Sequence, residues 1–450
     1  MYRSNPDGGP DVKTDVGGPA GSRKVAKRCT EAIRTVGPTL RQTWGDRTVV
    51  EKVAKRCTEA IRTVGPTLRQ TTKKERRTMR WKWQAFILLF LILNVGVSMA
   101  KAQNVKITPV GARTGEFCGT DRALLFEDPT GVRLLYDPGL TITSATDARL
   151  GDVHVILISH AHGDHLGAAR LNQDPNSPNA SCGFGAQGPP TVTSPNTMTA
   201  EIAAAKNSAV IAGGPLVTFI GVKIAAQLGA PGTPGCPQAG LGNELVVPRS
   251  SPCTAGLGIG AKRTIRNSSA SEGVQVAAVS AEHTNELAAS LLSDPERTNL
   301  VANGLSAYGG LANGFVVTFT NGLKVYLSGD TGLTSDMSTI VNGLYGATLA
   351  VLNIGDIFTT GPEEAAFAVL NMIRPIAVIP SHANELATTG GVVNADSRTA
   401  RFIDLISPGV PPFNDARDRF LPKRRIPVYV PFSGVTMQFD GNTRCLAGCR

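Results

Sequence analysis

Short apolar runs bounded by turn residues recur along the chain after residue 104 and predict β-strands. The run 152–159 is apolar almost throughout, which is typical of a strand buried on both faces. Two further runs, 314–320 and 323–327, flank Asn321-Gly322, a dipeptide that strongly favours a hairpin turn. The other predicted strands are Val105–Val110, Ala123–Phe126, Val132–Tyr136, Val274–Val279, Thr348–Ile354 and Ile376–Pro380.

Helical patterns alternate with these strands, so the sequence predicts an α/β protein. Residues 362–372 have amphipathic spacing and predict one helix. The apolar stretch 197–227, interrupted at Gly213-Gly214-Pro215, predicts a packed helix pair rather than a membrane segment. It lies in a Gly/Pro-rich segment, about 171–273, which we expect to be a partly helical insertion. Such an insertion either forms a wall of the functional site or has no part in it.

Four ligand-type side chains follow the buried strand within six residues, in a chain with only six histidines: His160-Ala-His162-Gly-Asp164-His165. Imidazole is the commonest protein ligand for metals, and carboxylates complete sites for ions such as zinc. In extended chain, His160 and His162 point to the same side. Gly163 then permits the turn that directs Asp164 and His165 towards a second ion. This density of ligands predicts a metal site.

Ligand-type residues also lie just beyond the ends of three other predicted strands, namely His283, Asp330 and His382. Residues at successive strand ends converge when the strands end at one edge of a sheet, so these side chains are expected to join the cluster. His154, the sixth histidine, lies inside its strand and is expected to be a hydrogen-bonded core residue instead.

This series of ligands after strand ends resembles that of the metallo-β-lactamase superfamily. Three segments, 328–337, 353–364 and 378–382, look like the branch of metal-dependent hydrolases that includes the phosphorylated-ascorbate lactonases. The resemblance covers most of residues 105–440 outside the insertion. It implies an αββα sandwich with two metal ions at one edge of the sheets.

The resemblance also implies a distribution of ligands over the two ions, which we expect to be Zn²⁺, with Mn²⁺ or Fe²⁺ as alternatives. One ion would be held by His160, His162 and His283, the other by Asp164, His165 and His382, with Asp330 bridging both. Two cations lower the pKa of a shared water and supply hydroxide. Asp164 is the expected catalytic residue, because it can receive the proton of the nucleophile and pass it to the leaving group.

The expected function is that of an exported dinuclear hydrolase that opens a lactone or related ester, for example an N-acyl homoserine lactone. The alternatives are a phosphodiesterase or phospholipase-type hydrolase, a β-lactamase-like amidase, and a non-catalytic metal-binding protein. The antibiotic-hydrolysing enzymes with a cysteine ligand match poorly, because that position holds Asp330. Asn285 and Asn384 each follow a ligand histidine by two residues, and either orient the site or cap loops.

The basic charge of the chain belongs to its first 102 residues. These carry 21 Lys and Arg against 8 Asp and Glu, whereas residues 103–450 carry 24 against 27. The charge is therefore no argument for nucleic-acid binding by the remainder, and a small-molecule substrate is the expected partner. Within residues 1–78 a 20-residue segment, 24–43, recurs unchanged at 52–71, and we expect this leader to be disordered or not native.

Residues 79–102 have the anatomy of a secretory signal peptide: a basic start, an apolar centre at 86–97 and a small-residue cleavage site, Ala100-Lys-Ala102. Cleavage would leave a hydrolase domain, 103–450, without a stable membrane span and would place it in the periplasm or outside the cell. That domain contains six cysteines, an even number that fits an oxidising compartment. Cys445 and Cys449 are the expected local pair, and a further disulfide is expected within the Gly/Pro-rich region.

Overall fold

Two mixed β-sheets pack face to face in the computed structural model, which describes residues 104–182, 191–192, 196–237, 243–407 and 426–450. The leader, 1–78, and the predicted signal peptide, 79–102, lie outside the described residues. None of the helices in the described ranges is both long and apolar enough to cross a membrane.

The first sheet has eight strands, which mix parallel and antiparallel pairing. Their order across the sheet is Cys445–Ala447, Met437–Phe439, Val105–Pro109, Leu124–Glu127, Arg133–Tyr136, Val155–Leu157, Ala209–Ala212 and Cys253–Gly256. The last four strands run parallel to one another, so their carboxyl ends lie at the same edge.

The second sheet has seven strands, in the order Ala377–Ser381, Leu349–Asn353, Lys324–Leu327, Asn313–Thr318, Gly273–Ser280, Lys262–Asn267 and Glu244–Val247. The first three are parallel, and the predicted hairpin joins the third to the fourth. Three two-stranded ladders complete the β-structure of the described residues: Ala169–Arg170 with Thr191–Val192, Glu286–Leu287 with Ala307–Tyr308, and Thr388–Thr389 with Val392–Val393.

The main core lies between the sheets, because alternate residues of each strand point inwards. Leu134 and Tyr136 face the opposite sheet, whereas Leu135 between them faces outwards. The ring of Tyr136 packs edge-on against that of Phe315, with 6.5 Å between their centres. This alternation leaves each sheet with a second apolar face that must also be covered.

Helices cover both outer faces. Met198–Lys206 and Gly214–Leu228 pack on the first sheet. The second sheet is covered by Met337–Tyr345, Arg398–Ile406 and Pro362–Phe367, which continues as a π-helical turn, Ala368–Ile373. Shorter helices lie at Gly163–Leu166 and Ala289–Leu291, and another helix spans Asp294–Ala302. The layers therefore have the αββα order that the resemblance implied.

The expected insertion, 171–273, is part of both sheets rather than an addition to them. It contains the predicted helix pair, but also the strands Ala209–Ala212 and Cys253–Gly256 of the first sheet and two strands of the second. The strand Ala209–Ala212 separates the two helices, whereas the sequence predicted only an interruption at Gly213-Gly214-Pro215 and assigned residues 209–212 to the first helix. Periodicity does not distinguish a short buried strand from a buried helical turn.

The strand predicted at 152–159 is shorter in the structure, Val155–Leu157. Beyond it, the backbone N–H of Ser159 donates to the side chain of Asp137 (2.9 Å) instead of to a neighbouring strand. Ahead of it, the Nδ1 atom of His154 accepts a hydrogen bond from the backbone N–H of Arg133 (3.0 Å). His154 is therefore a hydrogen-bonded structural histidine, as predicted, but it precedes the strand and is only partly buried rather than in the core.

Three disulfides link the six cysteines of the described residues: Cys118–Cys182, Cys236–Cys253 and Cys445–Cys449. The last is the expected local pair, and the second lies within the Gly/Pro-rich region. The first joins residues 64 positions apart, a pairing that spacing alone did not indicate.

Replacing Phe315 by Ala is expected to lower the free energy of unfolding by about 3–5 kcal/mol, because the ring is fully buried between the sheets and its loss leaves a cavity. Denaturant titration followed by circular dichroism measures this change. The matched control is Phe367→Ala, since that side chain is half exposed on a surface helix and its loss costs far less. Equal losses in the two variants would contradict this description of the core.

Candidate metal centre

Seven ligand-type residues converge where strands of both sheets end. Four of them follow the first-sheet strand Val155–Leu157, and the short helix Gly163–Leu166 carries the last two of these. The other three follow strands of the second sheet. They are His160, His162, Asp164, His165, His283, Asp330 and His382, the residues that the sequence predicted.

One group consists of three imidazoles. His160, His162 and His283 each place a ring nitrogen within 4.8 Å of those of the other two. The Nε2 atom of His283 lies 3.2 Å from Nδ1 of His162. Three imidazole nitrogens with an open side are the donor set of a typical catalytic zinc site.

A second group contains Asp164, His165 and His382, whose donor atoms also lie within 4.8 Å of one another. The Oδ2 atom of Asp164 is 3.5 Å from Nε2 of His382 and 3.7 Å from Nε2 of His165. A carboxylate and two imidazoles form a mixed set that suits zinc, manganese or iron.

Asp330 lies between the two groups. Its Oδ2 atom is 2.8 Å from Nε2 of His382 in the second group and 3.7 Å from Nε2 of His283 in the first. Its Oδ1 atom is 3.3 Å from Nε2 of His165. One carboxylate therefore reaches donor atoms of both groups, which is the geometry that a bridging ligand needs.

Several of these atoms are buried and lack a hydrogen bond of suitable geometry: Nε2 of His160, Nε2 of His165, Oδ1 of Asp330 and both ring nitrogens of His382. Their short contacts within the cluster, such as the 2.8 Å between Nε2 of His382 and Oδ2 of Asp330, join atoms that all suit a metal. An unsatisfied buried polar atom costs about 1–3 kcal/mol. Nδ1 of His382 lies beside Gly355, on the side of its ring away from Nε2, but the other four atoms face the cluster and call for a partner. Lone pairs from nitrogen and oxygen that converge in this way fit a cation. The residues present thus suit the divalent metals expected from the sequence.

The pKa shifts within the cluster also favour metal binding. Burial opposes ionisation of Asp330 and Asp164, but the surrounding histidines hold the pKa of both carboxyl groups well below the usual range. Burial lowers the pKa of His160 strongly and that of His283 to a lesser degree, which keeps both rings neutral. Ionised carboxylates and neutral imidazoles are the forms that bind metals.

His165 differs from the other rings. Burial lowers its pKa, but the carboxylates of Asp330, Asp164 and Asp137 outweigh burial and raise the pKa well above the usual value. The surroundings of this ring are therefore strongly negative. A divalent cation would be favoured by the same field and would displace the proton.

Asp137, which was not predicted, orients two of the ligands. The buried Oδ2 atom of this residue accepts from Nδ1 of His165 (2.8 Å) and from the Ser159 hydroxyl (2.6 Å). The same hydroxyl lies 2.9 Å from Nδ1 of His160. Both rings thus direct Nε2 into the cluster. A carboxylate directly after the predicted strand Val132–Tyr136 was the signal that could have identified Asp137.

Arg122 was also missed. Its buried guanidinium donates to Oδ2 of Asp164 from Nε (3.3 Å) and Nη2 (3.2 Å), and to Oδ1 of Asn384 (2.8 Å). Arg122 thereby fixes the Asp164 carboxylate. Nothing in the sequence around this arginine distinguishes it from other surface-type basic residues.

The two asparagines left open by the sequence have positioning roles. Asn285 is buried and accepts from the backbone N–H of Ala161, between His160 and His162, at 2.6 Å. Asn384 accepts from Arg122, as described above.

Gly355 leaves room for the backbone of His382. A Cβ atom at position 355 would lie 2.3 Å from the carbonyl oxygen of His382, so a larger residue would not fit there.

Comparison with known proteins gives consistent matches. A family model described as a beta-lactamase superfamily domain matches residues 120–382. A UPF0173 metal-dependent hydrolase from Cupriavidus necator is 29% identical over 260 residues, 56% of this chain and 68% of the relative. Another from Cupriavidus metallidurans is 30% identical over 260 residues, covering 56% and 67%. A solved metallo hydrolase from Ignicoccus hospitalis is 20% identical, with a TM-score of 0.42 over 75% of this chain and 99% of that one.

Replacing Asp137 by Asn is expected to weaken metal binding about 10–100-fold, because it removes the carboxylate that orients His165 and, through Ser159, His160. Competition with a chelator of known affinity measures the change. The control is Asp152→Asn, an exposed carboxylate in the segment just before the strand Val155–Leu157. Equal affinity of the two variants would mean that ring orientation does not depend on Asp137.

Proposed function

Since the chain belongs to the β-lactamase superfamily and is a metal-dependent hydrolase, we propose that it holds two divalent ions and opens a lactone or a related ester. The observation that carries the proposal is the pair of three-residue donor groups joined by the Asp330 carboxylate. His160, His162 and His283 would hold one ion and Asp164, His165 and His382 the other. When bound, such ions lower the pKa of a water ligand and polarise a carbonyl oxygen.

The two carboxylates of the centre differ in access, which suggests different roles. The Asp330 side chain is only 6% exposed, as befits a shared ligand, whereas that of Asp164 is 32% exposed. Ester hydrolysis adds water to the carbonyl carbon and breaks the carbon–oxygen bond of the leaving alcohol. Asp164 would accept the proton of the attacking water and return it to the departing oxygen. Arg122 would keep the Asp164 carboxylate in place during that transfer.

The charges around the centre favour an uncharged ester over a phosphate. In the described part of the chain, Arg122 is the cationic side chain that contacts the donor groups. Its guanidinium is already hydrogen-bonded to Asp164 and Asn384. A phosphodiester would normally be met by cationic side chains in addition to the metals. The charges therefore favour a lactone or carboxylic ester over a phosphodiester as the substrate.

We further propose that the metal is Zn²⁺ and that the protein is exported. Imidazole and carboxylate donors suit Zn²⁺ as well as manganese and iron, and metal analysis of purified protein decides among them. Export is supported by the three disulfides, which persist in oxidising compartments. N-terminal sequencing of exported protein should find Gln103 first; retention of residues 1–78 would contradict this part.

Replacing Asp164 or His165 by Ala is expected to abolish hydrolysis and to lower the metal content from two ions per chain towards one, because both belong to the second donor group. Elemental analysis and a hydrolysis panel of lactones, carboxylic esters, amides and phosphodiesters on protein starting at Gln103 provide the measurements.

The matched control is His154→Asn, a histidine outside the donor groups, which should retain both metal and activity. Activity that survives in Asp164→Ala or His165→Ala would contradict the second metal site. Wild-type protein that binds two ions and hydrolyses only phosphodiesters would overturn the lactone assignment.

A further inference from the structure

An exposed apolar pair lies at the candidate metal centre. Ile357 and Phe358 are 83% and 78% exposed, although they are adjacent large apolar residues. Isolated exposed apolar residues are common on protein surfaces and need no explanation. Two in a row at the tip of one loop form an exposed apolar patch.

The backbone of this tip is strained. Asp356 and Ile357 have φ angles of 66° and 62°, in the left-handed region that β-branched residues rarely adopt. The N–H of Phe358 donates to the carbonyl of Asp356 at 2.8 Å, which closes a three-residue turn around Ile357. Turns of this kind are uncommon, and strained backbone of this sort clusters at ligand clamps and active sites.

The loop is held firmly on both sides of the tip. On one side, Asp356 faces Arg398 with 3.5 Å between the charged atoms. On the other side, the buried Thr360 hydroxyl donates to the carbonyl of Asn353 (2.8 Å), and its N–H donates to the carbonyl of Thr331 (2.9 Å). Thr331 directly follows Asp330. The tip is therefore a fixed feature, anchored next to the shared ligand.

The tip also contacts a ligand directly. The carbonyl of Phe358 lies 3.1 Å from Nδ1 of His283, whose other nitrogen faces His162. One imidazole ring thus separates the Phe358 backbone from the donor atoms. The backbone of Phe358 therefore borders the centre, and the side chains of Ile357 and Phe358 extend from this loop into solvent.

A further exposed aromatic residue lies near another ligand. Tyr308 pairs with Glu286 across a short antiparallel ladder, so their side chains project from the same face. The Glu286 carboxylate is 3.3 Å from Nε2 of His162. Apolar surface is thus presented from two separate loops that contact the first donor group.

From this arrangement we propose that Ile357 and Phe358 form the binding surface for an apolar chain of the substrate, and that they determine its specificity. The inference rests on the proposed hydrolase function and adds that the preferred ester or lactone carries an alkyl or acyl chain beside the reacting carbonyl. Burying that chain against the pair removes apolar area from water, which increases affinity with chain length.

The test compares Phe358→Ser and Ile357→Asn with the wild-type protein. Serine retains the backbone carbonyl that contacts His283, and asparagine tolerates the positive φ of position 357. The matched control is Leu344→Ser, an equally exposed residue (67%) on Met337–Tyr345 at the outer face of the second sheet. Metal content and thermal unfolding of all variants are measured first and are expected to match the wild type.

The substrates are γ-lactones with side chains from methyl to octyl. Wild type and Leu344→Ser are expected to show kcat/KM rising with chain length. In Phe358→Ser and Ile357→Asn, the ratio of kcat/KM for the octyl lactone to kcat/KM for the methyl lactone should fall about tenfold relative to the wild type. Calorimetric binding of the ring-opened octyl hydroxy acid to the metal-loaded protein should weaken by a similar factor, and this readout needs no turnover.

The outcomes separate the two proposals. If the wild type binds the hydroxy acids with a chain-length dependence that the variants lose, but hydrolyses no lactone, the lactonase proposal fails and the binding surface stands. If chain-length dependence is unchanged in both variants, the binding surface is refuted. A third outcome is that the wild type sediments with phosphatidylcholine vesicles and Phe358→Ser does not, while hydroxy-acid binding is the same in both. This result would make the pair a lipid contact and would also refute the substrate-binding surface.

Discussion

The convergence of buried, unsatisfied nitrogen and oxygen atoms on the Asp330 carboxylate is the constraint on which the rest of the structure depends. Each such atom costs free energy in the folded chain unless a partner is supplied. Contacts among the ligands supply it only in part. His165, whose pKa the carboxylates raise, lies 3.3 Å from Oδ1 of Asp330, but burial keeps His160 neutral and its Nε2 atom has no partner. Divalent cations held by the two donor groups would supply partners for the atoms that face the cluster, so metal binding would stabilise the fold as well.

The fold meets this constraint by bringing strand ends of both sheets to one place and by holding the ligands from behind. Asp137, at the end of one strand, orients two histidines. Arg122 fixes the accessible carboxylate, and Asn285 holds the backbone between two ligands. These supporting groups are themselves buried, so water does not compete for their hydrogen bonds. Precise donor positions therefore follow from ordinary polar contacts beneath the centre.

The loop around Ile357 and Phe358 combines two roles in a few residues. Its backbone supports His283, and its side chains present apolar surface at the margin of the centre. A strained turn makes this combination possible, since it directs a carbonyl towards the ligand while keeping both side chains outside. In the proposed function, metal positioning and substrate selection would be coupled through this one short segment.

Most strands and all seven ligand-type residues could be predicted from the sequence pattern, whereas the αββα layers were implied by the resemblance to the metallo-β-lactamase superfamily. Strand period, turn dipeptides and metal-ligand chemistry are local properties, readable within a few residues of His160 or Asn321. The strand Ala209–Ala212 lies in a stretch whose apolar pattern also fits a helix, so the sequence did not identify it. The sequence around Asp356 likewise did not predict the strained turn. The roles of Asp137 and Arg122 depend on partners up to 262 residues away, and only the folded chain brings those partners within hydrogen-bonding distance. Sequence determined which atoms could bind a metal, and tertiary structure decided how they are oriented, because orientation comes from contacts between distant segments.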